Sequence, residues 1–272
     1  MIDEEKGSSR RDFLVNAGVF TAGAIAAGGV VGVLSPMKAE AAQALPWGYP
    51  AGGLAPQTVG EAAYNAYKVG GCMYGTGSAL INALAATGAP WDTFNPDLMK
   101  FGGGGIASWG TVCGSINAGA AIINMAVGPG TTATALVNEF FGWYCDFAFP
   151  TTRFDHLSLY PGQSTTVAQS PLCHNSSGNW AYTYGFRISS AERKERCAKV
   201  AADCAYKAVE LLNAWKAGTF VATKFAPDFQ DSTNSERCYT CHIGVGTVKD
   251  NAQGKMNCLV NGCHEDKVTH HL

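Results

Sequence analysis

Residues 189–215 read SSAERKERCAKVAADCAYKAVELLNAW, and this stretch decides the fold class. Cys197, Val200, Ala201, Cys204, Ala208, Leu211 and Trp215 recur at helical intervals, so they share one apolar face. Ser189 followed by Glu192 is the pattern of a capping box, and the spacing predicts a helix from Ser189 to Trp215. Outward from it, the same periodicity predicts helices over 57–69, 73–87, 113–127 and 131–147, joined by Gly and Pro breaks. Runs such as Ala118-Gly119-Ala120-Ala121 let helices pack closely. Residues 148–188 are aromatic, Pro- and Ser-rich and expected to be irregular, a setting that suits a ligand-donating loop. The fold class predicted is mainly α: a helical Gly/Ala-rich body over 42–224, then a small, loop-rich region over 225–272.

Composition narrows the function. With 47% apolar residues the chain is not disordered. Nineteen basic against 21 acidic residues give a formal net charge of −2, so no basic excess exists for nucleic acid. Charged residues make up only 15%, against about 25% in an ordinary soluble domain; some surface is expected to lie under a partner subunit, a cofactor or a membrane. No phosphate-binding glycine loop, H-E-x-x-H pair or Ser/His/Asp signature is present.

The first forty residues read as an address. Arg10-Arg11 precede Phe13-Leu14, a charge-free Gly/Ala/Val run reaches Leu34, and Ser35-Pro36 break it. Ala39-Glu40-Ala41 supplies the small residues of a cleavage site, so 1–41 is predicted to be a twin-arginine signal peptide. The alternative is an uncleaved span over 13–34, just long enough for a bilayer. The Gly/Ala richness and the polar Asn16 and Thr21 favour the signal, hence a periplasmic protein with no stable membrane anchor.

Cys238-Tyr239-Thr240-Cys241-His242 is C-x-x-C-H, the attachment site of c-type haem. Two thiols bond the porphyrin covalently, and the next residue is held under the ring as an axial ligand. Cys258-Leu259-Val260-Asn261-Gly262-Cys263-His264 repeats the pattern with a four-residue spacer that Asn261-Gly262 can bulge away. A zinc knuckle or a redox dithiol also uses paired cysteines, but neither needs a His directly after the second Cys in both copies. Two haem c per chain are expected, with His242 and His264 as proximal ligands. The intervening segment spans at most about 50 Å, which keeps the two haems in one small region. For the distal positions His156 and His174 lie in loops and are the first candidates, with His270 and His271 in reserve; Met256 has no ligand signature.

Six of the ten cysteines remain: Cys72, Cys113, Cys145, Cys173, Cys197 and Cys204. Three disulfides are one reading for an exported chain. The leader favours another. Twin-arginine export carries folded proteins, and haem c is attached only after export, so a cofactor assembled inside on thiolates is the better reason for that route. Cys113 follows Phe101-Gly102-Gly103-Gly104-Gly105 and Gly110, a stretch whose backbone N–H groups can approach an anionic cluster. Cys197 and Cys204 point the same way on their helix, so either is available to such a cluster.

The leader, the series Cys72, Cys113, Cys173 and Cys197 in a helical body, and the terminal pair of haem motifs together resemble split-Soret cytochrome c over the mature chain. The body alone is similar to a wider group of redox-associated proteins with such a cysteine series. The resemblance implies a homodimer with two stacked bis-His haems per subunit, the distal histidine given across the interface, for which His156 or His174 would serve. It also implies an iron–sulfur centre in the body, a [2Fe-2S] cluster on Cys72, Cys113, Cys173 and Cys197, with Cys204 and Cys145 in reserve. The function expected is electron transfer between redox protein partners; the alternative is a reductase of a small oxyanion or peroxide with one open haem.

Overall fold

The computed structural model describes residues 44–88 and 90–223. The leader and all four attachment cysteines, Cys238, Cys241, Cys258 and Cys263, lie outside the described residues. So do His242, His264, His270 and His271. The chain divides into Met1–Ala42 and Gln43–Leu272, and every described residue belongs to the second unit.

The described body is mainly α: α1 (Pro56–Ala85), α2 (Gly114–Val127), α3 (Thr131–Asp146), α4 (Asn179–Thr183) and α5 (Ala191–Lys216). Among the described residues, the regular strands are a two-residue antiparallel pair, β1 (Ala148–Phe149) and β2 (Thr166–Val167). The irregular 148–188 region thus carries this small ladder, α4 and a π-turn at His174–Gly178. No helix among the described residues is long and apolar enough to cross a membrane.

Pro56 opens α1, where a missing N–H costs nothing. Gly71 breaks it, with φ 79° and ψ −169°, a conformation open to glycine and strained for side chains. The two predicted helices, 57–69 and 73–87, are the two halves on either side of this break. The first half packs Tyr64 against Phe154, Ala198 and Ala202. The second buries Leu80, Ile81 and Leu84 with Ile116 and Ile122 of α2, Leu136 and Phe140 of α3, and Val209 and Leu212 of α5. Alanines at 201, 202, 205 and 208 on α5 are buried, which lets α1 lie close along it. Gly119 of α2 is packed so tightly that a Cβ there would sit 2.5 Å from the Phe140 ring.

Two expectations are corrected at helix starts. The N-cap of α5 is Ser190, whose hydroxyl accepts from the Arg193 amide; the Ser189–Glu192 box does not form, because the helix begins one residue later. The helix predicted from residue 113 begins at Gly114, with Cys113 as its N-cap.

Candidate metal centre

Cys72 is the first residue after the Gly71 break, and Cys113 caps α2. Both sulfurs therefore sit at the positive end of a helix, where a thiolate is favoured. Cys173 precedes the π-turn, and Cys197 lies in the second turn of α5. These four residues line one cavity of about 60 Å³, together with Tyr67, Gly71, Gly104, Ser115, Tyr144, Ser176, Ser177, Arg193, Arg196 and Val200. Cys72, Cys113, Cys173, Cys197 and Cys204 are free thiols.

The walls are set by backbone. From Gly104 to Ser108 every residue has positive φ, including Ile106 (57°), Ala107 (46°) and Ser108 (68°). A left-handed conformation costs roughly 1–2 kcal/mol for each non-glycine residue, and such strain persists only where the surroundings enforce it. Here the Ala107, Gly110 and Thr111 amides donate to the carbonyls of Phe101, Gly104 and Gly105. The far end of the loop is pinned to the Cys173 segment. Thr111 O accepts from the Cys173 amide at 2.7 Å, Gly110 O from His174 at 3.0 Å, and Cys113 N donates to Pro171 O at 2.8 Å. This bridge carries Cys173 to the side of Cys113.

The thiols are not alike. Cys72 hydrogen-bonds to Cys113, which raises the Cys72 thiol, already disfavoured as thiolate by burial. The same bond, helped by the Ser115 backbone and the positive field of Arg196, lowers Cys113 to about 6 despite its burial. Burial pushes Cys173 up to about 12, against a contact with Ser177. Burial also raises Tyr67, which lies in the field of Cys197, Cys72 and Cys173.

The cavity has the features of a seat for a small anionic group. Six buried side-chain polar atoms among the described residues have no partner, and three of them, Ser115 Oγ, Tyr144 Oη and Arg196 Nε, belong to residues that line this cavity. Buried donors are normally satisfied, so three on one wall call for an acceptor between them. A cavity this size holds a few non-hydrogen atoms and falls far below the several hundred Å³ of an organic cofactor site. Among the described residues no three Cys, His, Asp or Glu converge on a single metal ion. Cys72, Cys113, Cys173 and Cys197 reach the cavity from four separate segments of the chain.

The other sequence candidates lie elsewhere. Cys204 is fully buried in the core, where burial raises its thiol; seven residues from Cys197 place it about 10 Å further along the helix. Cys145 lies near the end of α3, its carbonyl accepting from Gln169. Neither lines the cavity. His156 is exposed, its Nε2 3.2 Å from Glu61 Oε1. His174 is also exposed, next to Cys173. Reading the sequence missed Tyr67, Ser115, Tyr144, Arg193 and Arg196. The available signal was the placing of Arg193 and Arg196 four and one residues before Cys197.

A helical body in which four cysteines from separate segments line one small cavity beside two guanidiniums defines a thiol-based redox protein. The chain belongs to the family described as "Putative redox-active protein (C_GCAxxG_C_C)", whose model matches residues 76–211. The match takes in Cys113, Cys173 and Cys197 and begins just after Cys72. Around Cys113 this chain departs from the G-C-A-x-x-G of the name, with Val112, Gly114 and Asn117 at the three other fixed positions. The chain is 28% identical to "Split-Soret cytochrome c" of Desulfovibrio desulfuricans (strain ATCC 27774) over 94% of each chain. It is also similar to a solved structure of that species' split-Soret cytochrome c, reported for a novel iron centre. The TM-score is 0.70 at 29% identity, covering 79% of this chain and 89% of that one. The role of this chain is therefore in redox chemistry and electron transfer.

Proposed function

We propose that this chain is an exported c-type cytochrome that transfers electrons, with haem attached at Cys238 and Cys241 and at Cys258 and Cys263, and an iron–sulfur centre on Cys72, Cys113, Cys173 and Cys197. The observation that carries the second half is the cavity: four free thiols, two guanidiniums and three unpartnered buried donors face one small volume. The first half rests on the two haem motifs and on the likeness, over nearly the whole chain, to a protein called a cytochrome c with a further iron centre.

When bound, an iron–sulfur group supplies one-electron exchange without a change of bonding partners. The residues of the chain hold and tune it. Cys113 and Cys72 stand at helix N-termini that favour thiolates. Arg193 and Arg196 offset the charge of gathered thiolates. Tyr144 and Ser115 offer hydrogen bonds to sulfur. Gly104, at the start of the left-handed 104–108 turn, lines the site.

For the haems, His156 and His174 are the distal ligands of this reading; both are exposed and thus open to a haem of the same chain or of a partner in a homodimer. With two histidines on each iron no position remains for a substrate, and the function is carriage between periplasmic redox partners. The optical spectrum with and without carbon monoxide tests this. An unchanged Soret band is expected. A shifted band would reveal an open iron and favour reduction of a small oxyanion or peroxide. Replacing His156 or His174 by Ala should turn one haem high-spin; if neither does, the distal assignment is wrong.

A further inference from the structure

Four charged side chains of α5 are buried: Glu195, Arg196, Lys199 and Asp203. A buried charge without a partner costs several kcal/mol. Three of the four have partners within the body. Glu195 faces Lys68 at 3.7 Å and accepts from Tyr64 and Ser158. Lys199 Nζ lies 2.8 Å from Asp155 Oδ1, and Asp203 faces Arg153 at 3.4 Å. Arg196 differs. It is 1% exposed, and among the described residues no carboxylate pairs with it. Its Nη2 donates to Ser176 Oγ at 3.0 Å, its Nη1 lies 3.9 Å from the Cys197 sulfur, and its Nε has no partner. A guanidinium stays protonated throughout the physiological range.

We propose that Arg196 is the built-in counter-charge of the four-cysteine centre and the residue that sets its reduction potential. This rests on reading the cavity as the seat of an iron–sulfur group. Reduction there adds one electron from a low-potential carrier, with no proton, so the site becomes one unit more negative. A fixed, buried cation strengthens that form more than the oxidised one. Ser176 orients the guanidinium, so Arg196 acts through position and charge rather than by ligation. Arg193 lines the same cavity but is only partly buried and donates to the Ile188 carbonyl, so solvent screens it more.

The test is a potentiometric titration of the full-length protein followed by electron paramagnetic resonance, with dithionite as reductant and the haem potentials as internal reference. Arg196→Gln, which removes the charge, should disfavour reduction at least tenfold, a shift of about 59 mV to lower potential for a one-electron couple. Arg196→Lys should keep the potential within half that shift. Loss of the centre from the Gln variant but not from the Lys variant also supports the charge role. Loss from both, or a Gln variant with the wild-type potential, overturns it. If the unsubstituted protein contains no iron beyond its haem, the reading of the cavity falls and this inference falls with it.

Discussion

Gly114 stands against Cys72. A Cβ at Gly114 would lie 2.7 Å from the Cys72 sulfur, 2.5 Å from the Gly102 carbonyl oxygen and 2.8 Å from the Met73 amide nitrogen. The first turn of α2 is thus pressed onto the start of the second half of α1, and Cys113, one residue earlier, is brought beside Cys72. Two cysteines distant in sequence become a contacting pair because a glycine, having no Cβ, lets the two backbones meet.

Gly114→Ala should therefore damage the site as well as the fold. Overpacking against backbone costs about 1–3 kcal/mol, and the Cys72 sulfur has to move. The expected result is less iron in excess of haem together with a lower denaturation midpoint. Gly119→Ala, whose nearest neighbours are atoms of the Phe140 ring, should lower the midpoint and leave the iron content unchanged. Equal iron in both variants would contradict the Gly114–Cys72 relationship.

Serine substitution sorts the six thiols. At Cys72, Cys113, Cys173 or Cys197 it should reduce the non-haem iron by more than half. At Cys204 it should leave the iron in place and cost about 1–3 kcal/mol, since a hydroxyl would be buried in the core without a designed partner. Cys145→Ser should change the iron content little. Metal analysis of purified variants decides the set.

Lys199 clamps the His156 loop. Its fully buried ammonium meets Asp155 Oδ1 at 2.8 Å and Tyr160 O at 3.1 Å. Lys199→Met removes the cation and leaves Asp155, among the described residues, with the Gly162 amide. Loss of about 2–4 kcal/mol is expected, with faster amide exchange confined to residues 152–162. Uniform exchange across the body would show that the clamp is not local.

Burial pushes the Asp203 carboxyl up to about 6, against the bonds from Thr151 and the pull of Arg153. The native state then binds a proton that the unfolded chain releases, so this residue costs stability above pH 6 and the cost is relieved as pH falls toward 4. Relative to Asp203→Asn, the wild type should gain up to about 3 kcal/mol between pH 7 and pH 4. Denaturant unfolding at both values checks this; a difference that grows in the opposite direction would refute it.

The helices were legible because their apolar periodicity is strong, and even the Gly71 break appears in the gap between 57–69 and 73–87. The start of α5 was displaced by one residue because Ser189 and Ser190 are equal as caps on paper. What decides between them is that the Ser190 hydroxyl reaches the Arg193 amide, while Gln163 takes up the Glu192 carbonyl. The four cysteines lining the cavity were among those singled out in the sequence, but its walls were not. Tyr144 and Ser115 look like ordinary helix residues until α2 and α3 are packed. Glu195, Lys199 and Asp203, spaced by four, look like a solvated stripe, yet the 151–163 loop, with Tyr64 and Lys68 of α1 at Glu195, supplies their partners. Nothing in Ile106, Ala107 and Ser108 announces a left-handed turn; it is imposed by the bridge from Gly110 and Thr111 to Cys173 and His174.

The most direct test counts iron and acid-labile sulfide against haem in the purified full-length protein. The account predicts about two irons per chain beyond those of haem, matched by labile sulfide, as a [2Fe-2S] group requires, and lost in Cys113→Ser. Iron equal to haem, with no labile sulfide released by acid, would contradict it.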